Sequence, residues 1–524
     1  MGETEAILLA ALVGGALAAA VRLPPLVGFL GAGFALAPLG VSATPAVQTV
    51  ADLGVTILLF GIGLKIDLRS LLRREVLVVS TVHIAASAVM GFLLLGALAL
   101  IGLDLARSAG PEGWLFVGFA LSFSSTVLVV KMLEQRSATR SLIGRTAIGI
   151  LVVQDVAAVA FIAAAEAKPP SPWAVSLVAL VAVAPLLGLA LSRLGHDELL
   201  PLFGIALALV PGYWLFETVG IKGALGALVM GMLLAGSPRS VELAKSLFTL
   251  KDLLLVGFFV SIGLGGVPTP SELFVAVLLL GLLPVQALVF AGLFWMARMR
   301  RRTSVLTAGV LTNFSEFALI VAVAAPDEVL GEEWVTVLGA AVAMSFVLST
   351  VVTSAAGELL ARAARRVLPD RPVADLHPDD RPLDLRGYDA VVLGMGRVGR
   401  GAYDRLREEY GLRVLGIESA VDRCHRLAGD GYDVVEGDAT DPELWTGAAA
   451  HEVSMVLLAM PFHGNNMAVL ERLRAHDFTG TVALVAQYDD DLRHAARQGA
   501  DAGFQIYDGA GTELADRAVS RSRR

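Results

Sequence analysis

From residue 4 to residue 362 the chain is one apolar stretch after another, each about twenty residues long, with short polar breaks between them. Twenty residues is the length an α-helix needs to cross ~30 Å of hydrocarbon. The composition agrees, with 56% hydrophobic and only 17% charged residues. The pattern predicts an all-α polytopic membrane domain of about thirteen spans. They fall approximately at 4–21, 23–40, 50–66, 75–102, 112–134, 142–167, 172–192, 197–216, 219–236, 249–265, 272–299, 303–325 and 334–362. Beyond residue 362 charge density jumps and no stretch could span. The sequence is thus read as a membrane domain at 1–362, a linker rich in Arg, Pro and Asp at 363–387, a folded domain at 388–510 and a tail at 511–524.

Charge sets the expected orientation. One set of alternate loops carries Arg22; Lys65, Arg69, Arg73 and Arg74; Lys131, Arg136, Arg140 and Arg145; Arg193; Arg239, Lys245 and Lys251; and Arg298, Arg300, Arg301 and Arg302. The other carries little more than Arg107, Lys168 and Lys222. The basic set belongs on the cytoplasmic side of the cell (inner) membrane. An odd number of spans then puts the N-terminus outside and the C-terminal domain in the cytoplasm. The first span opens with Glu3 and Glu5 and has no clear cleavage site, unlike a signal peptide. A single cysteine, Cys424, excludes an intrachain disulfide and a multi-cysteine zinc cluster. A net charge of −8 argues against nucleic acid as a partner.

Within the sixth span lies Asp155, preceded by Gln154, with apolar residues on both sides. A charge at mid-bilayer costs roughly 3 kcal/mol on insertion scales, so it persists where it faces a bundle interior or a wet cavity and has work to do. The alternative is a neutral, hydrogen-bonded Asp that only ties helices together. Spans five and twelve carry polar interruptions: Ser122, Ser124, Ser125 and Thr126 in one, and Thr312, Asn313, Ser315 and Glu316 in the other. Such groups can satisfy backbone freed by local unwinding. The two spans are seven apart, as expected of two six-span halves inverted in the membrane, and matching broken helices mark a transporter's midplane site. His83 reads as a packed, hydrogen-bonded histidine. Asp67 and Asp252 lie near span ends and read as solvated.

The motifs taken in order resemble a known family. They are LPPLVGFLGAG at 23–33, LGVTILLFGIGL at 53–64, Ser124-Ser125-Thr126, Gln154-Asp155, FFVSIG at 258–263 and Ser315-Glu316-Phe317-Ala318. They look like those of the monovalent cation:proton antiporter-2 family, and within it the Kef-type potassium–proton antiporters. The resemblance implies an NhaA/NapA-like antiporter fold with inverted repeats, a homodimer, and Asp155 as the carrier that binds cation and proton in turn. Gln before that Asp is typical of potassium-transporting members. Gln154, Ser124, Ser125 and Thr126 then line or ligate the potassium (or sodium) site, and Asn313 and Glu316 stabilise the crossing. Glu316 as a second proton site stays open. Related members carry Lys where this chain has Gln286, which weakens any mechanism built on a Lys–Asp pair.

The exchange chemistry follows from one carboxylate. Desolvation favours its protonated form and a neighbouring cation favours its ionised form, so the two ions compete. Oxygen ligands suit potassium. The expectation is electroneutral exchange, one cation for one proton, by rocking or elevator motion of the site.

Past residue 388 an apolar run leads into Gly394-Met395-Gly396-Arg397-Val398-Gly399, an amphipathic helix around 401–410 and a second strand ending in Glu418. With strand before, helix after and an acid about twenty residues on, this is the dinucleotide fingerprint. Further strands are expected at 433–435, 454–459, 481–486 and 503–506, giving a doubly wound α/β Rossmann-like domain. Gly437-Asp438-Ala439-Thr440 resembles the adenine-side motif of TrkA-N (RCK N-terminal) domains, which implies a regulatory nucleotide: NAD, NADH, AMP or ATP. No catalytic cofactor is expected and the chain reads as a transporter, not an enzyme. Three other readings remain: a sodium/proton antiporter, a ligand-gated potassium efflux channel, and a membrane NAD(P)-dependent oxidoreductase. The last lacks a hydride-acceptor site in the tail. Related Kef-type proteins have an acidic loop between spans nine and ten. Here Glu242 stands alone against Arg239 and Lys245, which predicts nucleotide control without the usual glutathione response.

Overall fold

The computed structural model describes residues 3–21, 23–65, 74–135, 138–139, 141–165, 177, 179–194, 198–220, 223–237, 239–326, 329–364, 367–439, 444–445, 452–505 and 519. Arg22, Asp67, Arg69, Arg73, Arg136, Arg140, Lys168, Lys222, Thr440 and most of the 511–524 tail lie outside the described residues. The chain divides into two compact units. The first gathers Met1–Val130, Thr146–Ala297 and Ser304–Asp370, and the second Lys131–Arg145, Arg298–Thr303 and Arg371–Arg524.

The first unit is helical. Its helices are α1 (Glu3–Ala20), α2 (Pro25–Leu36), α3 (Pro45–Lys65), α4 (Arg74–Leu100), α5 (Asp104–Ala120), α6 (Thr126–Gln135), α7 (Leu142–Ala165), α8 (Ala179–Arg193), α9 (Leu199–Thr218), α10 (Gly223–Leu234), α11 (Ser240–Leu264), α12 (Pro270–Leu279), α13 (Leu282–Met296), α14 (Arg301–Leu311), α15 (Phe317–Val323) and α16 (Glu333–Ala363). The ends of α6, α7 and α14 belong to the second unit. Each of the thirteen expected spans contains described helix. Among the described residues eight helices are long and apolar enough to cross a membrane unaided, with α12 and α13 taken together as Pro270–Met296. Spans five and twelve are each divided, into α5 with α6 and α14 with α15.

Small residues set how closely these helices pack. α1 lies on α2 and α3 on both α10 and α11. At Gly63 an added Cβ would sit 2.3 Å from the Leu228 carbonyl oxygen, and at Gly231 2.2 Å from that of Phe60. Backbone against backbone is how apolar helices gain dispersion contact where lipid removes the hydrophobic drive between them. Leu8, Leu12 and Leu17 on α1, Leu93 on α4 and Leu288 on α13 point outward, as hydrocarbon solvent allows.

Three sequence expectations shift. The helix of span ten begins at Ser240 rather than 249, so most of the 236–246 loop is helical. The segment expected as a bare linker contains two 3-10 turns, Val373–Asp375 and Pro378–Asp380, and buries Asp380. The helix after the glycine motif starts at Arg397, four residues early.

The second unit holds a parallel sheet of β1 (Ala390–Leu393), β2 (Val414–Glu418), β3 (Val434–Glu436), β4 (Met455–Leu458), β5 (Thr481–Ala486) and β6 (Ala502–Gln505), in the order β3-β2-β1-β4-β5-β6. Among the described residues four helices alternate with the strands: α17 (Arg397–Glu408), α18 (Val421–Gly429), α19 (His463–Ala475) and α20 (Asp489–Arg497). β1 is buried on both faces. Val391 and Leu393 feed one core with Val456, Leu470 and Val482, and Ala390 and Val392 feed the other with Tyr403 and Leu427. That two-residue alternation with no polar face is the mark of a parallel strand covered by helices. Strand order reverses between β1 and β4, so a crevice opens outside their carboxyl ends.

Candidate functional site

The two divided spans cross each other. α5 stops at Ala120, residues 121–125 are not helical, and α6 starts at Thr126. α14 stops at Leu311, residues 312–316 are not regular helix, and α15 starts at Phe317. Unwinding frees carbonyls and amides that hydrocarbon cannot satisfy, each costing several kcal/mol if left bare. The chain supplies partners from the opposite break. Ser124 Oγ donates to the Leu311 carbonyl (2.6 Å) and the Ser125 amide donates to Asn313 Oδ1 (2.7 Å). Ser125 Oγ donates to Glu316 Oε2 (2.9 Å), and Asn313 Nδ2 closes back on the Val310 carbonyl (3.0 Å). All of these residues are buried.

Gln154 and Gln286 complete the support. Gln154 Oε1 accepts from the Ser124 amide (3.0 Å) while its Nε2 donates to the Ser122 carbonyl (3.1 Å). Both ends of the amide are therefore used on the break itself. Gln286 Nε2, from α13, donates to the Leu121 carbonyl (3.0 Å). Asp155 lies on α7 beside the start of α6, where Thr126 Oγ1 donates to its Oδ2 (3.4 Å). It is 6% exposed, so its carboxylate is nearly withdrawn from solvent. The eight membrane residues singled out in the sequence thus meet in one place. The amide N–H groups at the start of α6 add partial positive charge toward an anion there.

The sequence reading overlooked Ser345 of α16. Its Oγ accepts from the Phe314 amide (3.1 Å) and donates to the Val342 carbonyl (2.8 Å), so it holds the second break from the far side. A serine inside an otherwise apolar span was the available signal. His83 is packed, its ring stacked on Phe290 at a centroid distance of 3.4 Å, with Ser87 Oγ 3.5 Å from Nε2. Ser87 is thus its hydrogen-bond partner, and Nδ1 has none. Asp252 is half-exposed and pairs with Lys251 (2.9 Å).

The glycine turn of the second unit has the shape that a pyrophosphate requires. Gly394 sits at φ 91°, where a side chain is strained. A Cβ on Gly399 would lie 2.0 Å from the Gly394 carbonyl oxygen, so helix and turn touch backbone to backbone. A Cβ on Gly396 would meet nothing within 4 Å. That open space lies at the N-terminus of α17, whose first turn carries no side-chain cap, and uncapped first-turn amides suit an anion. Met395 points the other way, into the core. Glu418 is buried at the end of β2 and accepts from the Ala420 amide (2.9 Å) and Arg423 Nη1 (3.1 Å). Gly437 donates its amide to the Glu418 carbonyl (3.0 Å), which sets Asp438 and Ala439 beside it. These residues fit a nucleotide.

Residues 7–358 match the family model described as sodium/hydrogen exchanger, transmembrane, and residues 390–505 match the TrkA-N domain. The glutathione-regulated potassium-efflux system protein KefC of Klebsiella pneumoniae (strain 342) is 30% identical over 490 residues, covering 88% of this chain and 75% of that one. The protein of the same name from Salmonella typhimurium is 29% identical over 488 residues, with the same coverage. Among solved structures, the sodium proton antiporter MjNhaP1 from Methanocaldococcus jannaschii is 14% identical and covers 69% of this chain and 98% of its own, at a TM-score of 0.48. The chain belongs to the sodium/hydrogen exchanger family, on the Kef-type branch in which a TrkA-N domain follows the exchanger helices.

Proposed function

We propose that the protein exchanges potassium for protons across the cell membrane, one for one, under the control of a nucleotide held by its C-terminal domain. The observation that carries this is Asp155 beside Thr126 at the crossing of two broken helices. Asp155 takes cation and proton in turn. Thr126 orients its carboxylate, while Ser124, Ser125, Asn313 and Glu316 hold the crossing and Gln154 and Gln286 cap the freed carbonyls. Potassium is the cation favoured by the Gln-Asp pair and by the KefC relatives, which are named for potassium efflux. The reading includes a homodimer, as the motif resemblance implies, an N-terminus outside and a TrkA-N domain in the cytoplasm, as the loop charges argue, and boundaries at 362, 387 and 510 from the apolar and charged pattern.

Proton flux in liposomes loaded with potassium, sodium or rubidium decides the cation. Potassium gives the largest flux, and a sodium preference would move the protein to the sodium/proton reading. Potassium movement without opposite proton movement would make it a channel. Exchange of one charge for one charge carries no current, so a transport current following membrane voltage in sign and size would reject the stoichiometry. Oxidation of NADH by the purified protein would revive an oxidoreductase.

Nucleotide control has its own test. In the Gly396→Val variant the new side chain enters open space, so the domain keeps its melting temperature while the phosphate approach is blocked. Binding of NADH, AMP and ATP should fall about tenfold or more, a loss of about 1.4 kcal/mol. Unchanged binding of all three would remove the glycine turn from the ligand site. The Arg239–Glu242 pair (2.9 Å) uses the single acid of the loop that relatives make acidic. Glutathione conjugates should therefore leave flux unchanged, and strong stimulation would contradict this.

A further inference from the structure

The second unit includes two segments far from the Rossmann domain in sequence, Lys131–Arg145 and Arg298–Thr303. Both are tied to it by charged contacts. Arg145, in the first turn of α7, forms an ion pair with Glu436, the last residue of β3. Asp380, buried in its 3-10 turn, accepts from the Arg300 amide (2.6 Å), Arg300 Nε (2.8 Å) and Thr303 Oγ1 (2.8 Å). The His377 amide adds a bond to the Arg298 carbonyl (2.8 Å). Asp380 thus sits at the N-terminus of α14, where a carboxylate also meets the positive end of the helix dipole.

These anchor points lie on the two helices that lead to the crossing. Arg145 precedes Asp155 by ten residues on α7, and Thr303 precedes Leu311, the last residue of α14 before the break, by eight. Ten helical residues are about 15 Å of rigid rod. On the other side of each anchor is the nucleotide edge. Glu436 is in register with Glu418 across the β2–β3 ladder, and the next two residues are Gly437 and Asp438. A cavity of about 70 Å³ separates the parts, lined by Ser141, Arg145, Arg302, Arg381, Ser419 and Asp438 among others. It leaves room for Glu436 and Arg145 to move apart.

We propose that Arg145 and Glu436, with Asp380 as their fixed counterpart on α14, are the positioning residues through which an adenine nucleotide at the Glu418–Asp438 edge sets the rate of exchange at Asp155. The inference rests on the nucleotide-controlled reading above. Ligand at the edge shifts Glu418 and Gly437 together, because one amide joins them. Glu436 shifts with its ladder partner, and Arg145 passes the change along α7. The Asp380 contacts hold α14 in place, so the two halves of the crossing respond differently to one ligand.

The test uses the full chain in liposomes, with potassium-driven proton flux read with and without NADH, AMP and ATP. Wild type should show a change of about five- to tenfold with the effective nucleotide, a usual size for coupling between sites. Glu436→Gln should reduce that ratio to about one while nucleotide affinity and half-saturating potassium stay as in wild type. Arg145→Lys should retain part of the response, and the exchanged pair Arg145→Glu with Glu436→Arg should retain most of it. A wild-type response in Glu436→Gln overturns the proposal, as does an exchanged pair that stays unresponsive while its flux and nucleotide affinity are normal. If wild type binds none of the three nucleotides or does not respond to any, the nucleotide reading itself fails instead.

Discussion

Asp155→Asn should abolish potassium-dependent proton flux in reconstituted liposomes. The substitution changes little else. Asn has nearly the volume of Asp and its amide oxygen can still accept from Thr126 Oγ1, the contact seen at 3.4 Å. What it loses is the ability to carry a negative charge or to bind a proton. A cation brought to the site then finds no counter-charge, and both half-reactions stop together. The protein should still fold and keep its melting temperature, which separates loss of the carrier from loss of structure. Retained exchange in this variant would overturn the central reading. Glu316→Gln is the companion. Its amide oxygen can still accept from Ser125 Oγ, so exchange should survive with altered rate. Complete loss there would show that Glu316 is a second proton carrier.

Asn313→Ala has the second largest expected effect, and it acts on the fold. The side chain accepts from the Ser125 amide at 2.7 Å and donates to the Val310 carbonyl at 3.0 Å. Removing it leaves both backbone groups buried without that partner, at about 1–3 kcal/mol for each. A helix break with orphaned groups repairs itself by rewinding, which would pull Ser124 and Ser125 away from α14. The variant should melt at a lower temperature in detergent and lose most of its exchange. Asn313→Asp keeps the acceptor but not the donor, and it adds a buried charge, so it should fall between wild type and Ala. A variant that melts and transports like wild type would show that the crossing does not depend on this amide.

The breaks themselves were legible because polar clusters fall at matching positions of two spans seven apart, whereas single serines commonly just pack membrane helices. Asp155 was legible because a charge at mid-bilayer is costly unless it has work to do. What each polar group touches was not. Gln154 read as a lining of the ion site, yet its amide is used at both ends by Ser122 and Ser124, a fact that depends on reach rather than residue type. Ser345 was passed over because its partner, the amide of Phe314, lies 31 residues away. α11 begins at Ser240 because hydropathy measures what hydrocarbon accepts, while the Arg239–Glu242 end of the helix is polar. Asp380 was read only as part of the linker, since its partners Arg300 and Thr303 lie about eighty positions earlier. In the Rossmann domain the pattern travels with the local chain, and the strands fall where they were expected to within a residue or two.

The double use of Gln154 limits how this exchanger could evolve. An amide donates and accepts, whereas a carboxylate only accepts. Gln154→Glu could still serve the Ser124 amide, but it would strip the Ser122 carbonyl of its donor and place a second charge next to Asp155. A second carrier charge at this position therefore cannot be gained in one step without loosening the break that supports the first. A lineage gaining that charge would have to find another donor for Ser122 beforehand, so a backbone carbonyl at the break limits which charges can be added beside Asp155.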